Sequence, residues 1–196
     1  ATTVIATTLG TLAAYGLSRA DFPAKAIVFG ILISPLAVPV VITALGIYFF
    51  FARVGLVHTH IGLILAHVAL AVPFVVITVS ATLQGFDWNL VRAAESLGAS
   101  PLGTFRQITL PLILPGVLTG AIFAFVTSLD EIVVALFIAG PAQFTLPRQL
   151  FAGLRDLLEP SIVAIATILI VVSITLLAVV ELLQSRRERL QGQARP

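Results

Sequence analysis

The sequence predicts an all-α fold, a polytopic bundle of helices that cross a membrane. Three observations support this prediction. Hydrophobic residues make up 59% of the chain and charged residues only 10%, whereas soluble domains carry about 25% charged residues. The uncharged residues form several runs close to the roughly 20 residues that a membrane-spanning helix needs. Most of the charged residues lie between those runs or in the C-terminal tail.

Five spanning helices follow from the apolar runs, and we expect the whole chain to form one domain. The second predicted span contains Pro35 and Pro39. Proline is tolerated in a membrane when neighbouring groups satisfy the freed carbonyl, and its commoner meaning is a structural kink, with a moving hinge as the alternative. The spans are predicted at residues 1–17, 26–52, 61–82, 112–138 and 160–181.

The remaining segments connect these spans or flank them. The chain begins ATTVIATT, without a methionine or a basic flank, which does not fit a complete signal peptide. We therefore expect it to be part of a longer chain with a further spanning segment upstream. A turn is predicted at 53–60, a partly helical connection at 139–159, and a basic, soluble tail at 182–196.

The lysine and arginine residues predict the orientation of the bundle, because cytoplasmic loops carry an excess of them. With alternating spans, eight fall on one side and three on the other. The side with eight is predicted to be cytoplasmic, and it includes residues 87–111 and the C-terminus. The eight are Arg19, Lys25, Arg92, Arg106, Arg186, Arg187, Arg189 and Arg195, and the three are Arg53, Arg148 and Arg155.

Residues 87–111, DWNLVRAAESLGASPLGTFRQITLP, are the most polar stretch in the middle of the chain. Asp87 is placed to cap a short helix over residues 88–97. Gly98 fits the left-handed residue just beyond the helix end. Ser100-Pro101 fits a second cap followed by a proline at the first helical position. The pattern predicts a compact helix–turn–helix at the membrane surface.

The predicted helix has an apolar stripe. Leu90, Ala94 and Leu97 recur at i, i+4 and i+7 and therefore share one face. Arg92 and Glu95 lie away from that stripe. The small side chains at 93 and 94 allow another surface to approach closely.

The spacing in this stretch resembles a known motif. Ala93-Ala94, three residues, Gly98, nine residues, Ile108, one residue and Leu110-Pro111 match the EAA loop of permease subunits in binding-protein-dependent ABC importers. The match specifies several identities over about twenty positions. The chain departs from the motif in one place, because Arg92 stands where the family has a glutamate.

The resemblance covers most of the chain. The runs GFDWNLVRAAESLGAS, FVTSLDEIVVALFIAGP and TLPRQLF look like those of the spermidine/putrescine permeases, and in particular the second of their two permease subunits. It implies a type I ABC importer transmembrane domain of about six spans, in the inner membrane and with a cytoplasmic C-terminus. It also implies a coupling helix that docks on an ATPase, with the docking residues Arg92, Ala93, Ala94, Leu97 and Gly98.

The resemblance further implies the partners of the chain. These are a second permease subunit, two cytoplasmic ATPase subunits, a periplasmic solute-binding protein and membrane lipid, with no nucleic acid. ATP and Mg would be held by the ATPase subunits and no cofactor by this chain. The absence of a GxxxxGK[ST] phosphate loop from the sequence agrees with this division of roles.

Asp130 and Glu131 are the other candidate functional residues, because they fall inside the predicted span 112–138. A carboxylate there costs roughly 2.5–3.5 kcal/mol on insertion scales. One interpretation is an interhelical hydrogen bond or a pair with a cation on the partner subunit. The other is an acidic lining of the pathway for a cationic solute, with only one of the two facing it.

Other functions leave fewer signals in the sequence. His58, His60 and His67 could suggest a metal site, but we expect two interfacial histidines and one satisfied inside the bundle. A membrane enzyme would use Asp130 or Glu131 with a histidine within hydrogen-bond reach, and a channel would not need residues 87–111. The same importer carrying another small solute is the nearer alternative.

Overall fold

The computed structural model describes residues 1–156 and 160–192 of the chain, and the regular elements in these ranges are helices. The predicted all-α fold is therefore confirmed. A π-helical segment, Phe105–Thr109, joins α6 to α7. The α-helices are α1 (Thr2–Arg19), α2 (Lys25–Ala37), α3 (Val40–Val54), α4 (His60–Gln84), α5 (Asn89–Ser96), α6 (Pro101–Thr104), α7 (Leu110–Asp130), α8 (Val133–Ile138), α9 (Leu146–Asp156) and α10 (Pro160–Gly192).

These helices lie where the five spans are predicted. Among the described residues, α4 and the run Pro101–Asp130 are each long and apolar enough to cross a membrane. The bent pair α2–α3 makes a third span if it crosses as one unit. The helices α1 and α10 occupy the positions of the first and last predicted spans.

The second predicted span is a pair of helices with a sharp bend between them, so the structural kink predicted from its prolines is present at Pro39. Helix α2 ends at Ala37, and Val38 is extended at φ −88° and ψ 133°. A residue that precedes proline is sterically disfavoured in the helical region, and Pro39 follows at the start of α3. The axes of the two helices differ by 104°. Pro35 lies inside α2 without ending it.

The predicted span 112–138 is also interrupted. Helix α7 ends at Asp130, Glu131 is extended at φ −73° and ψ 111°, and α8 begins at Val133. The prediction that the two carboxylates lie inside a continuous helix is therefore wrong. The backbone N–H of Val134 donates to Glu131 Oε1 at 2.8 Å, which gives α8 its own N-terminal cap.

The C-terminal region is more helical than predicted. Helix α9 confirms that the connection 139–159 is partly helical. Helix α10 continues to Gly192, well past the predicted end of the last span at residue 181. Residues 157–159 of the connection and 193–196 of the predicted tail lie outside the described residues.

The main core lies where α4 packs between α1 and α7. Glycines bring the backbones close: a Cβ at Gly10 would lie 2.6 Å from Val75 Cβ, and one at Gly120 would lie 3.0 Å from Val75 Cα. Small residues at helix contacts are typical of membrane bundles, where close packing replaces the hydrophobic effect. The buried core residues are Ala6, Ala14, Val68, Ala71, Val75, Val79, Leu83, Ile113 and Ala124.

A second core cluster lies on the first half of α4, against α3 and α8. Its buried residues are Ala44, Phe51, Ala66, Leu70, Val134 and Ile138. The turn before α4 is tied to it, because the His58 backbone N–H donates to the Ile138 carbonyl at 2.9 Å. Thr59 caps α4 by accepting from the backbone N–H of Gly62 at 2.9 Å. The bundle thus has a loop end, which holds α5 and α6, and an opposite end, which holds the turns at residues 55–59 and 139–145.

Candidate functional site

The loop at residues 87–111 has the predicted local structure. The backbone N–H of Asn89 donates to Asp87 Oδ1 at 2.9 Å, and α5 follows. Gly98 is left-handed, at φ +85°. The backbone N–H groups of Gly98 and Ala99 donate to the carbonyls of Glu95 and Ala94, both at 3.0 Å. This pair of bonds is the Schellman motif that ends a helix at a left-handed residue.

The second turn of the loop is also confirmed. Ser100 is extended, and its hydroxyl accepts from the backbone N–H of Gly103 at 3.2 Å. Pro101 takes the first position of α6. The motif residue Ile108 lies in the π-helical segment, and Leu110 begins α7. The loop therefore passes into a long helix through one π-helical turn.

The predicted docking residues of α5 do not all reach the surface. Arg92, Ala93, Leu97 and Gly98 are exposed, whereas Ala94 is buried. The predicted stripe of Leu90, Ala94 and Leu97 is therefore not one buried face. Helix α5 ends at Ser96, so Leu97 belongs to the turn and is not placed by helical periodicity.

The buried side of α5 is formed instead by Val91 and Ala94, one helical turn apart. Three leucines of the loop project outward: Leu90 is 44% exposed, Leu97 is 89% exposed and Leu102 is 68% exposed. Isolated exposed leucines are ordinary, but several on one short loop are typical of a surface that a partner covers. We refer to these three residues as the leucine surface.

An ion pair at the loop end was not predicted. Arg19 Nη2, at the end of α1, donates to Glu95 Oε1 on α5 at 2.7 Å. Arg19 Nη1 also donates to the Tyr15 hydroxyl at 3.1 Å. The bonds to Glu95 and Tyr15 raise the pKa of Arg19 above its usual value. Arg19 and Glu95 are 76 residues apart, so no local pattern could reveal the pair.

A cluster of aromatic side chains adjoins the ion pair through Tyr15. The ring of Tyr15 meets Phe105 edge-on, with centroids 4.9 Å apart, and lies 6.0 Å from the ring of Trp88. Trp88 also meets Phe86 edge-on at 5.0 Å. These residues come from α1, from the link between α4 and α5, and from the π-helical segment. The cluster Tyr15, Phe86, Trp88 and Phe105 therefore holds three parts of the chain together at the loop end.

Asp130 and Glu131, at the end of α7, have different environments. Glu131 is half-buried and caps α8, as described above. Asp130 is exposed, and within the described part of the chain it has no ion-pair partner. It lies at the C-terminal end of α7, where the helix dipole already favours positive charge. Of the two carboxylates, Asp130 is the one available to a ligand.

Asp130 lines a cleft of about 230 Å³ between α7, α9 and α10. The walls are mostly apolar, and Asp130 is the charged residue among them. A carboxylate beside an apolar wall suits a ligand that carries both an ammonium group and methylene groups. The lining residues are Val126, Leu129, Asp130, Ile132, Pro147, Leu150, Phe151, Leu169 and Ser173.

The turn at the opposite end is organised by Arg148. Its Nη1 donates to the carbonyls of Ala139 and Gly140, at 2.9 and 2.8 Å. Its guanidinium lies 5.0 Å from the centre of the Phe144 ring. Gln143 is buried and accepts from the Gly140 backbone N–H at 2.9 Å. These contacts fix the start of α9, which contributes to the cleft.

The histidines have structural positions. His67, buried in α4, lies 3.0 Å through Nδ1 from the Ser128 hydroxyl of α7. The prediction of a histidine satisfied inside the bundle is therefore met at one ring nitrogen only, because the buried Nε2 has no partner among the described residues. The described residues hold no group of three potential metal ligands. In these same ranges no hydrogen bond joins a histidine to Asp130 or Glu131, so the acid–base pair of the enzyme hypothesis is not formed there.

Comparison with known proteins places the chain in a family. A family model described as "Binding-protein-dependent transport system inner membrane component" matches residues 6–189. The spermidine/putrescine transport system permease protein PotC of Escherichia coli (strain K12) is 33% identical over 187 residues, which cover 95% of this chain and 70% of the relative.

Two further relatives extend the comparison. PotC of Haemophilus influenzae is 36% identical over 179 residues, covering 91% of this chain and 70% of the relative. The trehalose transport system permease protein SugB of Mycobacterium tuberculosis is 34% identical over 188 residues, covering 94% and 68%. These matches confirm the resemblance stated from the sequence, and they replace the enzyme hypothesis with a permease. The chain belongs to the family of binding-protein-dependent transport system inner membrane components, as a multi-pass permease of an ABC importer.

Proposed function

We propose that the chain is the permease subunit of an ATP-driven importer for a polyamine. It would act with a second permease subunit, two cytoplasmic ATPase subunits and a periplasmic solute-binding protein. ATP and Mg would be bound by the ATPase subunits. In this arrangement the loop end and the C-terminus face the cytoplasm, and the apolar outer faces contact lipid or the second permease.

The coupling role belongs to α5 and the turn that follows it. The leucine surface, together with exposed Arg92 and Ala93, gives an ATPase an apolar and basic patch to cover. Ala94, being buried, supports the helix from within instead of making the contact. Arg92 replaces the glutamate of the motif, so the ATPase side of this contact should be acidic or neutral.

The observation that carries the substrate class is Asp130 at the edge of the apolar cleft. Polyamines consist of ammonium groups joined by methylene chains. In the cleft, the Asp130 carboxylate can pair with an ammonium group and the apolar walls can contact the methylene groups. Two of the relatives described above are named as spermidine/putrescine permeases. Sequence identity alone does not decide the solute, because the trehalose permease is similar to the same extent.

A neutral solute is the second candidate, and the similarity of the chain to the trehalose permease favours it. A sugar hydroxyl would donate to the Asp130 carboxylate with a charge on the acceptor alone, and an asparagine oxygen can still accept that hydrogen bond. A polyamine ammonium would form an ion pair with Asp130, with a charge on both partners, and an asparagine cannot form it. The two candidates therefore differ in how they respond to removal of the Asp130 charge.

Asp130→Asn should reduce uptake of radiolabelled putrescine by roughly tenfold or more, the loss that corresponds to about 1.5–3 kcal/mol for a hydrogen bond to a charged group. Uptake is measured with the assembled importer in vesicles, with ATP hydrolysis recorded alongside. Glu131→Gln is the matched control, because a glutamine oxygen can still accept from the Val134 N–H.

The outcomes separate the candidates. A polyamine pathway beside Asp130 is supported if both variants assemble and putrescine uptake falls strongly in Asp130→Asn but only slightly in Glu131→Gln. Full putrescine uptake in the double variant would contradict it. Equal transport of radiolabelled trehalose by the unaltered chain and by Asp130→Asn would favour the neutral solute.

A further inference from the structure

Helix α5 depends on its contacts for its orientation. It has eight residues, and isolated helices shorter than about 12–15 residues are marginal in water. Its outer side carries Leu90 of the leucine surface, and Leu97 follows in the turn. A force that a bound partner exerts on that side is therefore transmitted to the rest of the chain by the inner side of α5 or by the segments before and after it.

The last turns of α1 contact the loop at each of those places. Arg19 reaches α5 itself through Glu95, at 2.7 Å. Tyr15 reaches the segment before α5 through Trp88 and the segment after α6 through Phe105. The 3.1 Å bond from Arg19 to the Tyr15 hydroxyl joins these contacts into one group.

Helix α1 is in turn tightly packed against the core. At Gly10 a Cβ would lie 2.6 Å from Val75 Cβ and 3.3 Å from the Val72 carbonyl oxygen. The backbones of α1 and α4 are therefore in close contact at this point. The same Val75 lies against Gly120 of α7. A displacement of Arg19 is thus carried through packed helices to α4 and α7. The route along the chain from α5 to α7 passes through the π-helical segment, where the backbone bonds span i to i+5 in place of i to i+4.

We propose that Arg19 is a positioning residue that transmits movement of α5 to the transmembrane core through its ion pair with Glu95. This inference rests on the proposed role of α5 as the helix that an ATPase contacts. Networks of ion pairs, hydrogen bonds and packed side chains can carry coupling between distant sites, and this pair joins α1 directly to α5. The side chains of Arg19 and Glu95 remain 42% and 35% exposed. An ion pair at that exposure adds little to folding stability, so its loss should affect coupling and leave assembly intact.

The test measures solute taken up per ATP hydrolysed by the assembled importer in proteoliposomes, with radiolabelled putrescine as the probe. Glu95→Gln and Arg19→Gln should each lower this ratio by roughly two- to fivefold, which is the most that the loss of so exposed an ion pair can change an equilibrium. Subunit assembly, measured by co-purification of the subunits, should not change. Asp21→Asn is the matched control, because Asp21 pairs with Lys25 at 3.3 Å in the same exposed region without touching α5.

The charge-reversed double variant, Arg19→Glu with Glu95→Arg, decides whether the two residues act on each other. Recovery of the ratio toward that of the unaltered chain supports the proposal, because only a direct contact is restored by exchange. No recovery, or no loss in either single variant, would overturn it.

A separate variant distinguishes failure of this inference from failure of the proposed function. Leu97→Asp places a charge at the most exposed residue of the leucine surface and keeps both partners of the Arg19–Glu95 pair. A lower ratio in Leu97→Asp with normal ratios in Glu95→Gln and Arg19→Gln would overturn only the ion-pair inference. Normal ratios in all three variants would remove α5 from the coupling role itself.

Discussion

At the scale of single residues, neighbouring positions have opposite roles. Glu131 uses its carboxylate to cap α8, while Asp130 remains exposed at the end of α7. Ala93 is exposed and Ala94 is buried. Motif positions that look equivalent in a sequence thus divide into those that hold a helix in place and those that meet a partner.

Gly98 is a residue whose backbone conformation sets the loop. At φ +85° a β-branched residue costs on the order of 1 kcal/mol or more. No atom lies within 4 Å of a Cβ built there, so the cost is conformational and not steric. Gly98→Val should therefore leave the importer assembled but lower uptake per ATP hydrolysed.

Two comparisons isolate the conformational cause. Gly98→Asn should retain most of the coupling, because asparagine tolerates the left-handed region. Gly85→Val is the matched control, since Gly85 has φ −96° and equally open surroundings. Normal coupling in Gly98→Val, measured as uptake per ATP hydrolysed, would argue against a fixed left-handed turn.

At the scale of elements, α4 is the helix around which the bundle is built. It packs against α1 and α7 through glycines on those helices, and against α3 and α8 through its first half. The bent pair α2–α3 has large exposed apolar side chains, including Ile31 and Phe49. In a membrane protein such faces meet lipid tails or a neighbouring subunit.

The close packing of α1 on α4 gives a prediction at this scale. Gly10→Val should lower the stability of the purified complex by about 1–3 kcal/mol, because overpacking forces the helices apart. The measurement is the midpoint of thermal unfolding in detergent. Gly16→Val, in the same helix with nothing within 4 Å of its Cβ, should change the midpoint far less. Equal midpoints for the two variants would contradict the close contact between α1 and α4.

At the scale of the whole molecule, the two ends of the bundle are chemically distinct. The loop end holds the leucine surface and the Arg19–Glu95 pair. The opposite end holds the Asp130 cleft and the turn organised by Arg148. The proposed importer uses them for different tasks, energy coupling at one end and solute contact near the other.

The proposed orientation can be tested directly because the chain contains no cysteine. Ser96→Cys at the loop end should react with a membrane-impermeant maleimide only in inverted vesicles. Ala142→Cys, an exposed position at the opposite end, should react only in intact cells. The chain is labelled without its ATPase partner, so that Ser96 is uncovered. The reverse pattern would overturn the orientation inferred from the basic residues.

Local signals account for what the sequence could predict. Asp87, Gly98 and Ser100 act on backbone groups within a few residues, so their roles follow from spacing alone. The break at Asp130 was missed because the apolar run continues through it, although an acidic residue before Val133 is also a helix-start signal. The Arg19–Glu95 pair depends on how α1 and α5 meet in space, which no local pattern encodes.

The π-helical segment Phe105–Thr109 has a geometric consequence for the loop that precedes it. A π turn accommodates more residues than an α turn, because each bond spans i to i+5. If one surplus residue were taken up into α-helical bonding, the helix would lengthen by about 1.5 Å and everything upstream would rotate by roughly 100° about its axis. Conversion of this segment from π-helical to α-helical bonding would therefore rotate α5 and α6 about the axis of α7.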